Sequence, residues 1–485
     1  MAIQKQTLTI QDPGLGTVNP ATSIALVVGH STLGTANVMK SYSSINALLA
    51  AEGQGEAVEH AARILALAGG PVRFMKTATS VAGSIGSVTV TRVGSSTGTL
   101  GFATTPNDNY EIIFEIVTTG TVGTGVFKYS LDDGRTYSEN ITIPAGGTYL
   151  IPNTNVTATF TPGAGPTFFE AGDKFEADCV APMWNATDIA AAVTAILADP
   201  LSWDFLLLAG KPATSAAAAT IGAALETHMI TLSNKNKWRR ALMDAGKDAV
   251  ATIKTSWAST AGKRISICVG DVDVTTSKAF AGWGAPMMPS AIVFASRAAA
   301  ALISEDLARG GATAPLPGVL AISHDEFQNE TMDEAKFSTL RTWEGAAGFF
   351  IEGCRLKSPA GSDFEFWQHG RLMDAVCKTV FEAQQQFHSV EFRTKADKTI
   401  DTRDALRVEK EVDAKVEAVI GRGVQNTGPK NASGTPGHCS DFAYRVSRTE
   451  PILTTKVLAT EVAVRPLGYA KFITTTLGFA ADVAA

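Results

Sequence analysis

SIALVVG, residues Ser23–Gly29, is a short apolar, β-branched run ending on glycine, the pattern of a strand buried on both faces. The segments downstream decide what kind of sheet it joins. SSINALLAAEG (Ser43–Gly53) opens on serines suited to capping a helix and stops at glycine. The next segment sets Val58, Ala61, Ala62 and Leu65 on one helical face before Gly69-Gly70-Pro71 ends it. VRFMK (Val72–Lys76) then reads as a second strand, and the alternation resumes far downstream. Ile189, Ala192, Val193 and Ile196 have helical spacing within Asp188–Ala198, and the strand WDFLLLAG begins at Trp203. A helix over Ser215–Ser233, the strands WRRALMD (Trp238–Asp244) and RISICVG (Arg264–Gly270), and a helix near Lys247–Trp257 complete the series. Strands alternating with helices imply βαβ units and a largely parallel sheet covered on both faces.

Between Thr79 and Val180 the texture changes to strands and turns, among them SVTVTRVG, YEIIFEIVTTG, VFKYSLDDGRTYS and VTATFTPG. This reads as an all-β module looped out of the α/β domain, with Asp133-Gly134 as a hairpin turn. SLDDGRTY (Ser130–Tyr137) resembles the Asp-box hairpin of sialidases and related β-proteins, a structural turn motif; contact with a glycan is the alternative.

A third region starts near Thr339. It holds the strand GFFIEGCRL and a helix over Arg371–Phe387 with Leu372, Ala375, Val376 and Val380 inward. A second, mixed-charge helix over Thr402–Ile420 puts Ala405, Val408, Val412, Val416 and Val419 inward. The chain near its C-terminal end, LGYAKFITTTLGF (Leu467–Phe479), is rich in strand formers, and its backbone groups need partners. The expected fold class is thus multidomain α/β. Residues 1–20 form an N-terminal linker arm, 21–79 and 181–338 a discontinuous α/β core, and 80–180 the inserted β domain. Residues 339–452 make an α+β C-terminal assembly domain and 453–485 a C-terminal strand and linker arm.

The 485 residues are long enough for sizeable cores, and 18% charged with 45% hydrophobic residues is globular composition. A formal net charge of −6 argues against nucleic acid as a partner. No apolar run reaches the ~20 residues that span a bilayer, so no membrane insertion is expected, and the N-terminal stretch lacks a signal-peptide pattern, which points to the cytosol. The five cysteines, Cys179, Cys268, Cys354, Cys377 and Cys439, are far apart and form no Cys-x-x-Cys pair. They read as inert thiols, with Cys439, Cys354 and Cys377 as candidates for an intersubunit disulfide and Cys439, in GTPGHCSD, as the most exposed.

Enzyme chemistry is looked for and not found. GLGTVN and GQGEAV lack the third glycine of a dinucleotide loop, and TAGKR lacks the hydroxyl residue of a phosphate loop. Ser31 comes after a strand without a nucleophile elbow and reads as a loop serine. The seven histidines show no metal-ligand spacing, and His324, Asp325 and Glu326 in SHDEFQNE read as a solvated loop. No catalytic residue, cofactor or metal site is expected.

The order of parts carries more. ALVVGHSTLGTANVMKSYSSINALLAAEGQGEAVEHAARILALAGGPVRFMK resembles the opening of bacteriophage contractile tail sheath proteins. GWGAPMMPSAIVFASRAAA and ARGGATAPLPGV are similar to the family's segment before its C-terminal domain. GFFIEGCRLKSPAGSDFEFWQHGRLMDAVCKTVF, with Gly353 and Arg355, resembles the family's strand, aromatic strand and Arg-led helix. The resemblance covers most of the chain outside the β insertion.

It implies a structural subunit and no enzyme. Copies would polymerise helically, as hexameric rings, around an inner tail tube protein, bounded by baseplate and tail terminator proteins, in a virion tail assembled in the host cytoplasm. The arms would add strands to neighbours through Ile3, Gln4, Lys5, Gln6, Thr7 and Leu8 at one end. At the other the resemblance implies Tyr469, Lys471, Phe472, Ile473, Thr474 and Thr475. Contraction would then drive the tube through the host envelope. The competing expectations are a soluble α/β hydrolase-like enzyme with a β accessory domain and a glycan-binding phage adhesin.

Overall fold

The computed structural model describes residues 23–163, 168–274, 287–309, 315–329, 331–422 and 437–468. The chain divides into two compact units, Met1–Gly370 and Arg371–Ala485.

The first unit is built on a six-stranded sheet of β1 (Ala25–Gly29), β2 (Met39–Tyr42), β3 (Val72–Lys76), β13 (Phe205–Leu208), β14 (Arg240–Asp244) and β15 (Ile265–Cys268). Its order is β15-β14-β13-β1-β3-β2, parallel throughout except for the antiparallel edge strand β2. The apolar runs are continuous because both faces are covered. Every residue of β1, β13, β14 and β15 is buried. Alternation along β1 splits the core in two. Ala25 and Val27 face α1 (Ile45–Glu52), α2 (Glu56–Ala68) and the later helix Ala291–Ala300, whereas Leu26 and Val28 face the other way. On that second side lie α3 (Ala186–Ala198), α4 (Ser215–Asn234) and α5 (Val250–Ser256).

Local chemistry fixes the helix ends. Ser44 accepts the Ala47 N–H at the start of α1, and Asn185 and Asp188 form a reciprocal capping box on α3. Gly69, left-handed at φ 65°, ends α2.

Between β3 and α3 the chain leaves the sheet, as nine strands among the described residues. They are β4 (Ser84–Ile85), β5 (Thr89–Thr91), β6 (Thr99–Ala103), β7 (Tyr110–Thr118), β8 (Val126–Ser130), β9 (Ile141–Thr142), β10 (Thr148–Leu150), β11 (Thr157–Thr161) and β12 (Lys174–Val180). One sheet runs β4-β12-β7-β8-β9, with β5 also on β12, and the other runs β10-β11-β6. Phe114 is the centre of their shared core, within 5.1–5.9 Å of the rings of Phe102, Phe127, Tyr129 and Phe160.

The SLDDGRTY hairpin is a self-satisfied turn. Asp133 and Gly134 both take positive φ (57° and 76°), as a type I′ turn requires, and the Arg135 N–H closes that turn on the Asp132 carbonyl. Ser130 Oγ donates to Asp132 and accepts from Gly134 N–H, while Asp132 accepts from the Thr136 N–H and hydroxyl. Arg135 then ties the insertion to the core through Asp273 at 3.0 Å.

The first unit continues with β16 (Asp271–Val274), β17 (Met288–Pro289), α6 (Ala291–Ala300), β18 (Val319–Ile322) and the hairpin β19 (Thr339–Trp343) and β20 (Ala346–Gly353). The compact unit runs on past this hairpin to Gly370. The reason is main-chain bonding: Ser338 N–H donates to Ile267 and Lys357 N–H to Ile265, both on β15.

The second unit holds most of α7 (Trp367–Gln384), then α8 (Thr402–Val419), β21 (Cys439–Val446), the single turn α9 (Ile452–Thr455) and β22 (Thr460–Pro466). Its core joins Leu372, Val376 and Val380 of α7 to Ala405, Val408, Val412 and Val416 of α8 and to Phe442 and Tyr444 of β21. Val419, expected inward, is exposed, because the buried stripe of α8 ends with Val416 and resumes only at Ile420.

Replacing Phe114 with alanine removes the ring around which four others pack. The expected cost is about 3–5 kcal/mol, read by hydrogen exchange as lost amide protection across β6–β12 with β1 and β13–β15 unchanged. A cost below about 1 kcal/mol would contradict this packing.

Candidate assembly site

The expected strand-exchange residues Ile3–Leu8 and Tyr469–Thr475 lie outside the described residues. The surface they are expected to meet can be built up from the second unit.

Asp401 caps α8 by accepting the Arg403 N–H at 2.8 Å. In its first turn, Asp404 accepts two side-chain bonds and the N–H of Arg393, at 2.6–3.2 Å. The Arg393 guanidinium holds the Asp404 carboxyl down to about 2. The apolar stripe of α8 packs on β21, and this places a row of acids at i, i+4 and i+8 along the outer edge of that strand.

Glu409 accepts the Val446 N–H at 2.8 Å and the Arg448 guanidinium at 2.9 Å. Asp413 offers its carboxylate to the Tyr444 N–H, and burial raises its pKa despite that bond. Glu417 holds Arg422 at 2.5 Å, which donates to the Phe442 carbonyl at 2.9 Å. Asp441 takes the remaining outward N–H, that of Phe442. Side chains therefore occupy the edge of β21 that a further strand would need.

The other edge differs. In register, Phe442, Tyr444 and Val446 oppose Val464, Val462 and Thr460. Residues of β21 that turn their backbone outward lie opposite residues of β22 that do the same. Thr460, Val462 and Val464 thus present N–H and C=O groups along the free side of β22. Among the described residues no strand pairs with that side. Thr460, Glu461, Ala463, Arg465 and Pro466 are exposed. The described chain leaves β22 through Leu467 and Gly468.

The cysteines need correction. Cys439, expected to be exposed, opens β21 and is buried, with its thiol donating to the Gly421 carbonyl at 3.4 Å, and burial pushes it up to about 11. Cys354 is buried beside Ser266 and Ser338, and Cys377 is half-buried on α7. A bond from Cys439 or Cys354 to another chain requires local opening first.

His324 and Glu326 of SHDEFQNE, expected to be solvated, are not. His324 and Glu326 are buried and hydrogen-bonded at 2.9 Å. Glu326 also accepts the N–H groups of Thr331, Met332 and Asp333 at 2.9–3.0 Å. Burial alone would raise its pKa, but these donors hold it below the usual range. Arg355 closes the turn, paired twice with Asp333 at 2.7 and 3.1 Å, bonded to Glu365 and stacked on Phe366. Ser31 is likewise buried and donates to the Leu33 carbonyl. Among the described residues no group of His, Cys, Asp and Glu is arranged to hold a metal ion.

The fold is one shared with solved chains of a helical sheath and of a baseplate. A chain of the anti-feeding prophage (AFP) baseplate, from a 6-fold symmetrised cryo-EM structure, superposes with a TM-score of 0.53 at 12% identity, covering 100% of both chains. The AFP helical sheath in its contracted state gives 0.51 at 14% identity, covering 99% of this chain and 100% of that one. The AFP baseplate in its contracted state gives 0.52 at 12%, covering 98% and 97%. The chain belongs to the DUF2586 family, whose N-terminal domain matches residues 4–355. No curated protein matches the sequence.

Replacing Glu409 with alanine strips the cover from Val446 N–H and the partner from Arg448. The expected loss is about 1–3 kcal/mol, seen as faster amide exchange at Val446 in the full-length chain. Unchanged exchange there would show that the carboxylate is not the cover.

Proposed function

We propose that the chain is the structural subunit of a contractile tail sheath, and that copies join by adding strands to the free side of β22. The open backbone of Thr460, Val462 and Val464, beside a β21 edge already occupied by side chains, is the observation that carries this reading. It supplies one edge, of one polarity, for one class of partner: an extended segment of another copy. Residues 3–8 and 469–475 are the proposed donors.

Such contacts are heterologous, so they propagate as a helix or close into rings of fixed number instead of pairing off. The likeness to chains of a helical sheath and of a 6-fold baseplate supports stacked hexameric rings around an inner tube, with baseplate and terminator proteins at the ends. Main-chain tethers let the bodies rotate while connectivity persists, which is what a change from an extended to a contracted lattice demands. The driving force is the differential stability of the two lattices. The outer side of α8, with exposed Arg403, Arg407, Lys410, Glu411 and Lys415, is the proposed face toward the tube or the next subunit. Charges there allow sliding, where an apolar face would resist it.

Negative-stain microscopy of the purified full-length chain should show tubes or stacked rings. A variant lacking residues 1–20 and 469–485 should remain dispersed at the same concentration; polymerisation as ready as that of the intact chain would overturn the strand-addition mechanism.

A further inference from the structure

The carboxyl ends of β1, β13 and β14 open onto the place where the inserted β domain meets the core. This is the switch point of the sheet, since the chain passes from β1 to β3 on one side and returns at β13 on the other. The loop at residues 104–109, between β6 and β7, lies against the first turn of α2. His30 Nε2 donates to the Asn107 carbonyl at 2.9 Å, and the Asn109 amide donates to Glu56 at 3.4 Å. Asp108 accepts the N–H groups of Gly55 and Asn109.

Two carboxyl oxygens in this seam have no donor. Glu59 is only 6% exposed and its Oε2 is unpartnered; Glu56 Oε1 is buried and also unpartnered. A carboxylate oxygen enclosed without a donor or a cation is costly, whereas a neutral acid has a proton to share and no charge to solvate. The N-terminus of α2 favours negative charge at these positions, but only weakly beside the loss of hydration.

We propose that this seam is a proton-controlled clasp, in which Glu56, Glu59 and Asp108 close the inserted β domain onto the core as neutral acids and release the 104–109 loop when they ionise. Arg63, one turn along α2 from Glu59, donates to the Pro317 carbonyl at 2.7 Å. Lys211 is held by Asp271 at 2.6 Å, Lys247 faces Glu56, and Asp244 at the end of β14 is buried and itself held well above the carboxylate range by burial. Burial lowers the pKa of His30 and takes that of His60 down to about 4, with His60 Nδ1 on the Glu56 carbonyl at 2.6 Å. A cavity of about 470 Å³, lined in part by His30, Glu56, Asn109 and Lys247, gives water a route in once the loop lifts.

Burial, with Asp108 second, raises Glu56 to about 7, burial raises Asp108 to about 6, and Glu59 stands well above its ordinary value. The closed seam holds its protons to higher pH than the open one, so closure is strongest below the ordinary carboxyl range and is lost as pH rises. For each group the opening constant climbs about tenfold per pH unit between its free and its closed value, then levels off. The Asp108 window ends near pH 6 and the Glu56 window near pH 7.

The test is hydrogen exchange of the full-length chain at pH 5, 6, 7 and 8, corrected for intrinsic exchange. Protection of residues 55–60 and 104–110 should fall at least about tenfold from pH 5 to pH 7, while Val408 and Val412 in the second unit stay level as an internal reference. The double variant Glu56→Gln, Glu59→Gln should flatten that profile above pH 6, where Asp108 no longer contributes, and Asp108→Asn should make it shallower over pH 5–6. A flat wild-type profile overturns the clasp whatever the variants do, as does an undiminished slope in a folded double variant. The inference concerns the first unit alone, and stands or falls separately from assembly.

Discussion

A β-strand at the edge of a sheet must place its outward N–H and C=O groups somewhere. In the second unit the two edges of one hairpin resolve that constraint differently. On β21, Glu409, Asp413, Arg422 and Asp441 satisfy the backbone with side chains. On β22, Thr460, Val462 and Val464 carry the same groups without such cover among the described residues. The asymmetry gives direction to whatever the hairpin binds, and a directional edge is what a polymer built from identical copies requires.

The first unit contains more than one core. Its parallel sheet is closed on both faces, and the inserted β domain has an aromatic core of its own around Phe114. Arg135–Asp273 and Asn109–Glu56 are polar links between these two cores.

Much of the α/β pattern was legible because it is written locally. The apolar runs of β1 and β13, the Ser44 cap and the Gly69 stop each depend on neighbours a few residues away. The stripe on α8 was legible down to Val416, and misjudged at Val419, where helical period alone does not say where packing stops. The site was less readable. Glu409, Asp413 and Glu417 show a regular spacing, but nothing near them announces that a strand about thirty residues on will place its amides there. SHDEFQNE looked like surface because the groups that enclose it, Asp333 and Arg355, come from later in the chain. Cys439 looked exposed from its glycine- and proline-rich context, yet it is the first residue of β21 and is buried. Glu56 and Asp108 are brought together only by the way the insertion folds back.

The central claim is that the free side of β22 is completed by another copy of the chain. The direct measurement is a cryo-EM map of the assembled particle, sharp enough to trace the main chain beside Thr460–Pro466. The account predicts a strand there, hydrogen-bonded to Val462 and Val464 and continuous with a neighbouring subunit. A particle in which that edge faces solvent, or is covered by its own chain, would contradict it.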